Sequence, residues 1–241
     1  MKILHLIDSF DCDSSTRQIQ LLGPRLKQLD VAIEICCLGP ETPAVQAMRR
    51  TGVIVHTLDW TRWIDPAMLW NLRGVVRESA ADVIHVWRLP ALRALALVAK
   101  PMLARVVMSA SLPPSGKLAW WDRWLLEKVQ CVALAGRAEQ DQCKLHDLRK
   151  PMLRIVTPAI ARNEIGNPAQ PGDVTTIVYL GRLNRSDGAR DAIWAFDILR
   201  HLYPDLRLQM VGTESACPEI RNLIDGLQAT AQVEFLGVRS D

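Results

Sequence analysis

Short apolar runs of strand length alternate with longer segments of helical period along all 241 residues, and that alternation restricts the fold to a parallel sheet covered by helices. In the first two thirds, candidate strands fall at 2–7, 31–38, 53–57, 83–87, 105–109, 129–134 and 153–156. Their near-continuous apolar character suits strands buried on both faces. Between the first two, Ile19, Leu22, Leu26 and Leu29 recur at helical spacing, with Ser14 or Ser15 available as the N-cap. The chain therefore opens with a strand, a loop and a helix.

Residues 162–173 are polar and rich in Pro and Gly, the composition of an exposed connector, so three segments are expected: 1–161, a linker 162–173, and 174–241. After the linker, 174–180 reads as a strand, and Ala192, Ile193, Phe196 and Leu199 mark one helix face. Leu206, Leu208 and Met210 alternate as a second strand. Pro218 suits a helix's first turn, Ile220, Leu223 and Leu227 line that helix, and Val233 with Phe235 makes a third strand. In a doubly wound sheet the fourth strand lies beside the first. No fourth strand follows before Asp241, so the second unit is expected to be incomplete, with 174–180 as a bare edge open to self-association.

Composition narrows the function classes. Six cysteines show no C-x-x-C pair and no His at zinc spacing, which leaves neither a metal site nor a disulfide framework indicated. The opening apolar run is ended too soon by Asp8 for a signal peptide. The most apolar later stretch, 89–112, is interrupted by Arg93, Lys100, Pro101 and Arg105, so no membrane span is expected. A cytoplasmic protein fits, with a peripheral position at the inner face of the plasma membrane as a variant. Residues 1–161 carry a formal +6 and 162–241 carry −3, so the basic first half presents either a face for an anionic partner or a solvated surface. Nucleic-acid binding has no recognisable module behind it. A nicotinamide enzyme lacks the G-x-G-x-x-G after either opening strand.

Several segments together resemble glycosyltransferase family 4, the retaining nucleotide-sugar transferases of the GT-B fold. Met1-Lys2-Ile3-Leu4-His5-Leu6-Ile7-Asp8-Ser9 looks like the family's first strand, and Thr16-Arg17-Gln18-Ile19-Gln20-Leu21-Leu22 like the helix after its first loop. Ala81-Asp82-Val83-Ile84-His85-Val86 is similar to its fourth strand, and Val178-Tyr179-Leu180-Gly181-Arg182-Leu183 to the motif that opens the donor domain. Pro204-Asp205-Leu206 through Gly212, and Val233-Glu234-Phe235-Leu236-Gly237, follow in family order. Each motif is loose; their order over nearly the whole chain carries the resemblance.

The resemblance implies two Rossmann-like units, an acceptor-side one first and a partial donor-side one second, with transfer in the cleft between them. It implies a UDP- or GDP-sugar as donor, no tightly bound cofactor, no metal, and a hexosyltransferase-type reaction onto a glycan or lipid-linked acceptor in envelope or exopolysaccharide synthesis. Gly181, Arg182 and Arg185 are the implied diphosphate-binding residues, because cations there offset charge on the departing nucleotide. Ser14, Ser15, Arg17 and His85 are the acceptor-side or loop candidates, and no residue is assigned as catalytic. Arg182 can equally pair with a surface acid, and His85 can equally be a core or rim residue.

The chain departs from the family pattern at four places. Asp187 stands where the family has a diphosphate-binding Lys, Asp13-Ser14 where it has paired glycines, and Ser111 where it has a His; the Glu-containing donor segment would lie beyond Asp241. These departures keep open an alternative, a non-catalytic remnant or partner-binding protein. The segment 117–128, with Trp120, Trp121 and Trp124, reads either as an amphipathic helix resting on anionic lipid or as a helix packed on the sheet with Trp121, Trp124, Leu125 and the Lys128 stem inward.

Overall fold

The computed structural model describes residues 1–10, 14–60, 65–109, 118–142, 145, 148, 151–160, 176–181, 183, 188–212 and 218–237. The chain divides into two compact units, Met1–Gly166 and Asn167–Asp241. The proposed linker 162–173 lies outside the described residues.

The first unit runs β1 (Lys2–Ile7), α1 (Ser14–Gln28), β2 (Ala32–Cys37), α2 (Pro43–Arg50), β3 (Ile54–Thr57), α3 (Pro66–Glu78), β4 (Val83–Val86) and α4 (Leu89–Ala99). It continues through a 3-10 turn (Lys100–Arg105), β5 (Val106–Ser109), α5 (Trp120–Leu126), β6 (Cys131–Leu134), α6 (Arg137–Gln142) and β7 (Met152–Ile155). All seven strands are parallel, in the order β3-β2-β1-β4-β5-β6-β7. Each expected strand is present and several are trimmed at their ends. The fold is α/β, as the alternation of apolar runs requires.

Strand pleating sorts the core into two faces. Leu4, Leu6, Ile84, Val86, Met108 and Val132 pack beneath α3, α4 and α5. Ile7, Ile35, Cys37 and Val55 pack beneath α1 and α2 with Ile19, Val45 and Met48. Local chemistry starts the helices: the Thr42 hydroxyl accepts from the Val45 amide at 3.2 Å ahead of α2, and Asp65 accepts from the amides of Ala67 and Met68 at 3.0 and 3.1 Å ahead of α3. Pro43 and Pro66 occupy the first helical positions, where a missing N–H costs nothing.

Two helix expectations change. Ser14 and Ser15 lie within the first turn of α1 rather than capping it, and Leu29 is solvent-exposed instead of continuing the buried stripe. The helix stops at Gln28, and Asp30 takes a left-handed backbone (φ 56°) that turns the chain into β2. α5 is shorter than 117–128 and buries Asp122, Leu125 and Leu126; Trp124 packs partly against the core, while Trp121 is half-exposed and Trp120 fully outward. The packed reading holds for Leu125 and Trp124 and fails for Trp121, because Asp122 takes the inward position by pairing with Arg93. Among the described residues no helix is long and apolar enough to cross a membrane.

The second unit runs β8 (Thr176–Leu180), α7 (Ala189–Leu202), β9 (Arg207–Val211), α8 (Pro218–Gly226) and β10 (Val233–Gly237), with parallel order β10-β9-β8. Ile193, Phe196, Ile220 and Ile224 cover Leu208 and Met210 on one face. On the other face Val178 is 57% and Leu180 is 79% exposed, and among the described residues β8 has no outer neighbour.

Candidate functional site

In this sheet strands are added to one side of β1 up to β3 and to its other side from β4 onward, and open α/β sheets bind ligands at the carboxyl ends of the strands where the strand order reverses in this way. A trough of about 360 Å³ lies there. Its floor is His85, Val107, Ser109 and Ala133, and one wall is Ser14, Ser15, Gln18 and Leu22 of α1. Helical spacing puts those four α1 residues on one face, and strand alternation turns the floor residues away from the α3/α4 core. The opposite wall is Val156 to Ala159, just after β7. Gln18 ties that wall to α1: its Nε2 donates to the Ala159 carbonyl at 2.9 Å, and the Ala159 amide donates to its Oε1 at 2.8 Å.

The trough is apolar apart from a few aligned groups. His85 Nε2 lies 2.8 Å from Ser109 Oγ, and its ring stacks on Trp87 with centroids 4.4 Å apart. Trp87 Nε1 donates to His5 Nδ1 at 3.1 Å. An indole N–H is donor-only, so His5 is the neutral tautomer carrying its proton on Nε2, and that buried atom has no partner among the described residues. Burial holds the His5 pKa down to about 4. Burial, with the nearby His5, holds His85 down to about 3. Both rings are uncharged at neutral pH. His85 is thus a hydrogen-bonding surface and a weak base.

That pair makes stability acid-sensitive. An unfolded histidine takes up a proton near pH 6.5, whereas the folded rings refuse one until about pH 4 or below. The folded state is therefore fully stable above pH 6.5 and loses stability as pH falls below it. Between pH 7 and 5 the loss is expected to reach about 2 kcal/mol for His5, and less for His85, whose ring opens onto the trough. Urea midpoints measured at both pH values, with and without His5→Gln, check this; equal pH dependence in the two proteins refutes it.

The structure gathers Ser14, Ser15 and His85 in one place and leaves Arg17, exposed on α1, out of the trough wall. Arg182, Arg185, Ser111 and Asp187 lie outside the described residues. Sequence reasoning missed Gln18, Ser109 and Trp87. Gln18 had a signal, since it follows Ser14 and Ser15 by one helical turn; Ser109 and Trp87 needed the strand pairing. It also missed Arg88, which pairs with Asp8 at 2.8 Å and donates to the Ser9 carbonyl and hydroxyl, so this cation between the ends of β1 and β4 is already neutralised. Among the described residues no three His, Cys, Asp or Glu side chains could hold a metal ion.

In the second unit, three glycines end the three strands. Gly181 N donates to the Val211 carbonyl at 3.0 Å, and Gly212 N donates to the Gly237 carbonyl at 2.9 Å. A Cβ on Gly212 would stand 1.9 Å from the Gly181 carbonyl oxygen, so only glycine allows these backbones to approach. The carboxyl edge of the sheet therefore carries a glycine at the end of each strand. Beside it, α7 and α8 begin at a hollow of about 340 Å³ lined by Arg190, Glu219 and Asn222 among others.

No family model matches the chain, and no curated protein matches it in sequence. Solved structures do match it in fold. The crystal structure of Anabaena HepE in complex with UDP and glucose superposes with a TM-score of 0.77 at 15% identity, covering 100% of this chain and 70% of that one. Sucrose-phosphate synthase from Thermosynechococcus elongatus superposes at 0.72 with 13% identity, covering 99% and 71%. WaaG, a glycosyltransferase involved in lipopolysaccharide biosynthesis, superposes at 0.66 with 12% identity, covering 100% and 71%. The fold of this chain is that of the GT-B glycosyltransferases.

Proposed function

We propose that the chain is a glycosyltransferase that moves a hexosyl group from a UDP- or GDP-sugar to a glycan or lipid-linked acceptor in envelope or exopolysaccharide synthesis, as the likeness to glycosyltransferase family 4 suggests. The observation that carries the reading is fold similarity over the whole chain to transferases, one of them holding UDP and glucose. The motif order in the sequence supports it independently. In this reading residues 1–161 take the acceptor, and the trough beside Ser14, Ser15 and His85 receives it. Residues 174–241 take the donor.

The chemistry asked of each part is modest. The bond from the sugar's anomeric carbon to the diphosphate oxygen breaks, a bond to the acceptor oxygen forms, and the acceptor proton passes to the departing diphosphate. Arg182 and Arg185 would offset charge on the departing diphosphate. Neutral His85 and Ser109 would hydrogen-bond an acceptor hydroxyl without competing for its proton. A cytoplasmic protein with peripheral contact to the inner face of an anionic membrane fits the outward Trp120.

Calorimetric titration of the full chain with UDP and GDP, beside Arg182→Ala, tests this. Micromolar to millimolar binding that weakens tenfold or more in the variant is expected. No binding to a folded chain overturns it. One observation favours a second reading, a non-catalytic partner-binding chain: the exposed Val178 and Leu180 on β8, whose outer edge has no neighbour among the described residues. Concentration-dependent association in sedimentation, abolished by Val178→Lys, would support that reading.

A further inference from the structure

None of the described residues that line the trough carries a charge at neutral pH. Burial keeps the two imidazoles there, His5 and His85, in their neutral form. Arg88, just after β4, is committed to Asp8 and Ser9, and Arg17 stands outside the wall. An ionised group entering the trough would exchange water for Leu22, Val107, Ala133, Leu134, Val156 and Pro158 with no counter-charge among the described residues to meet it. The walls therefore select against charge.

The hydrogen-bonding groups select in the same direction. Ser109 Oγ and His85 Nε2 lie 2.8 Å apart and share one bond. A hydroxyl has one donor and two acceptor sites, so whichever of the two atoms carries the shared proton, Ser109 Oγ keeps a lone pair for a ligand. A ligand hydroxyl can donate to it, whereas an ionised carboxylate only accepts and leaves it unfilled. Ser14 and Ser15 add two more hydroxyls on the α1 wall, while the Gln18 amide is occupied by Ala159. A ligand that meets these walls and these groups has a C–H face and neutral hydroxyls at its rim, which is the surface of a pyranose ring. The volume of about 360 Å³ is at the lower end of small-molecule sites, so it suits a short sugar segment rather than a long one.

We propose that the trough admits an uncharged hexopyranose as the accepting end of the acceptor and rejects uronic acids and phosphorylated sugars, with Ser109 taking a bond from a ring hydroxyl as the specificity-determining residue. What the bound sugar is for rests on the transferase reading. Which sugar binds rests on the trough alone.

The test is a ligand-observed NMR titration of the full chain with the methyl glycosides of glucose, galactose and mannose, each beside its uronate and its 6-phosphate. UDP is titrated separately into the same preparation. At least one neutral glycoside should bind about tenfold or more tighter than its two charged counterparts, which lack a partner for their charge. Ser109→Ala should weaken that binding about fivefold or more by removing the acceptor. Ser14→Arg, at an exposed position on the trough wall, should tighten the 6-phosphate about fivefold or more by supplying a cation. Charged probes that bind as tightly as the neutral ones, no neutral glycoside bound by a folded chain, or affinities that neither substitution shifts overturn the proposal. UDP binding without glycoside binding defeats it and leaves the transferase reading standing. Glycoside binding without UDP binding supports it and defeats that reading.

Discussion

Replacing Gly212 with alanine is expected to destabilise the second unit by about 3 kcal/mol or more, enough to unfold much of a unit this small. The added Cβ would stand 1.9 Å from the Gly181 carbonyl oxygen, and the obstacle is backbone, which no rotamer change can move aside. Relief requires β8 and β9 to separate at their carboxyl ends, where Gly181 N donates to the Val211 carbonyl. The neighbouring glycines set the scale. At Gly181 a Cβ would meet the Tyr179 hydroxyl at 3.0 Å, the far end of a side chain that can turn. At Gly237 nothing lies within 4 Å, and only the left-handed backbone (φ 68°) opposes substitution, at about 1 kcal/mol. Hydrogen exchange read by mass spectrometry gives the comparison directly. Peptides from β8, β9 and β10 should lose protection in Gly212→Ala while peptides from β1, β2 and β4 keep theirs. Unchanged protection in β9 would refute the argument.

Arg93→Ala is expected to destabilise the first unit by about 3 kcal/mol, because it leaves the Asp122 carboxylate buried without its cation. Asp122 is 3% exposed and accepts two 2.7 Å bonds from Arg93, whose own side chain is 42% exposed. That difference in exposure predicts an asymmetry. An arginine that loses its acid can turn its guanidinium to water, whereas a buried acid that loses its arginine cannot, so Asp122→Ala should cost less than Arg93→Ala. The double variant Arg93→Met with Asp122→Leu should recover most of the loss, since it removes both charges and keeps the volume. Urea unfolding of the four proteins at one pH and salt concentration measures each quantity. A single-variant cost below 1 kcal/mol, or a double variant no better than Arg93→Ala, would sink the idea that this pair holds α5 on α4.

The two predictions concern elements that were legible to different degrees. The strands of both units could be read from apolar runs alone, because a strand buried on both faces in a parallel sheet must be apolar at nearly every position. The same runs located His85 on its strand and the serines at the start of the first helix. Pairwise geometry was not legible. Nothing local in Trp-Trp-Asp-Arg-Trp says that Asp122 rather than Trp121 turns inward; that depends on Arg93, 29 residues away on another helix. Gly212 could be recognised as ending a strand, but not as touching Gly181.

The sequence by itself therefore determined the class of fold, the order of its strands along the chain, and the strand and helix ends that carry Ser14, Ser15, His85 and Gly181, because hydrophobic period and glycine placement are local properties. Only the tertiary structure decided the rest. Parallel pairing of β1 with β4 brought His5, His85 and Trp87 together and, with β5 beside β4, set Ser109 against His85; Gln18 closed a wall with Ala159 141 residues further along, and α3, α4 and α5 enclosed a cavity from segments that share no sequence pattern. Contacts between residues far apart in the chain arise from the packing of whole elements, and no window of neighbouring residues contains them.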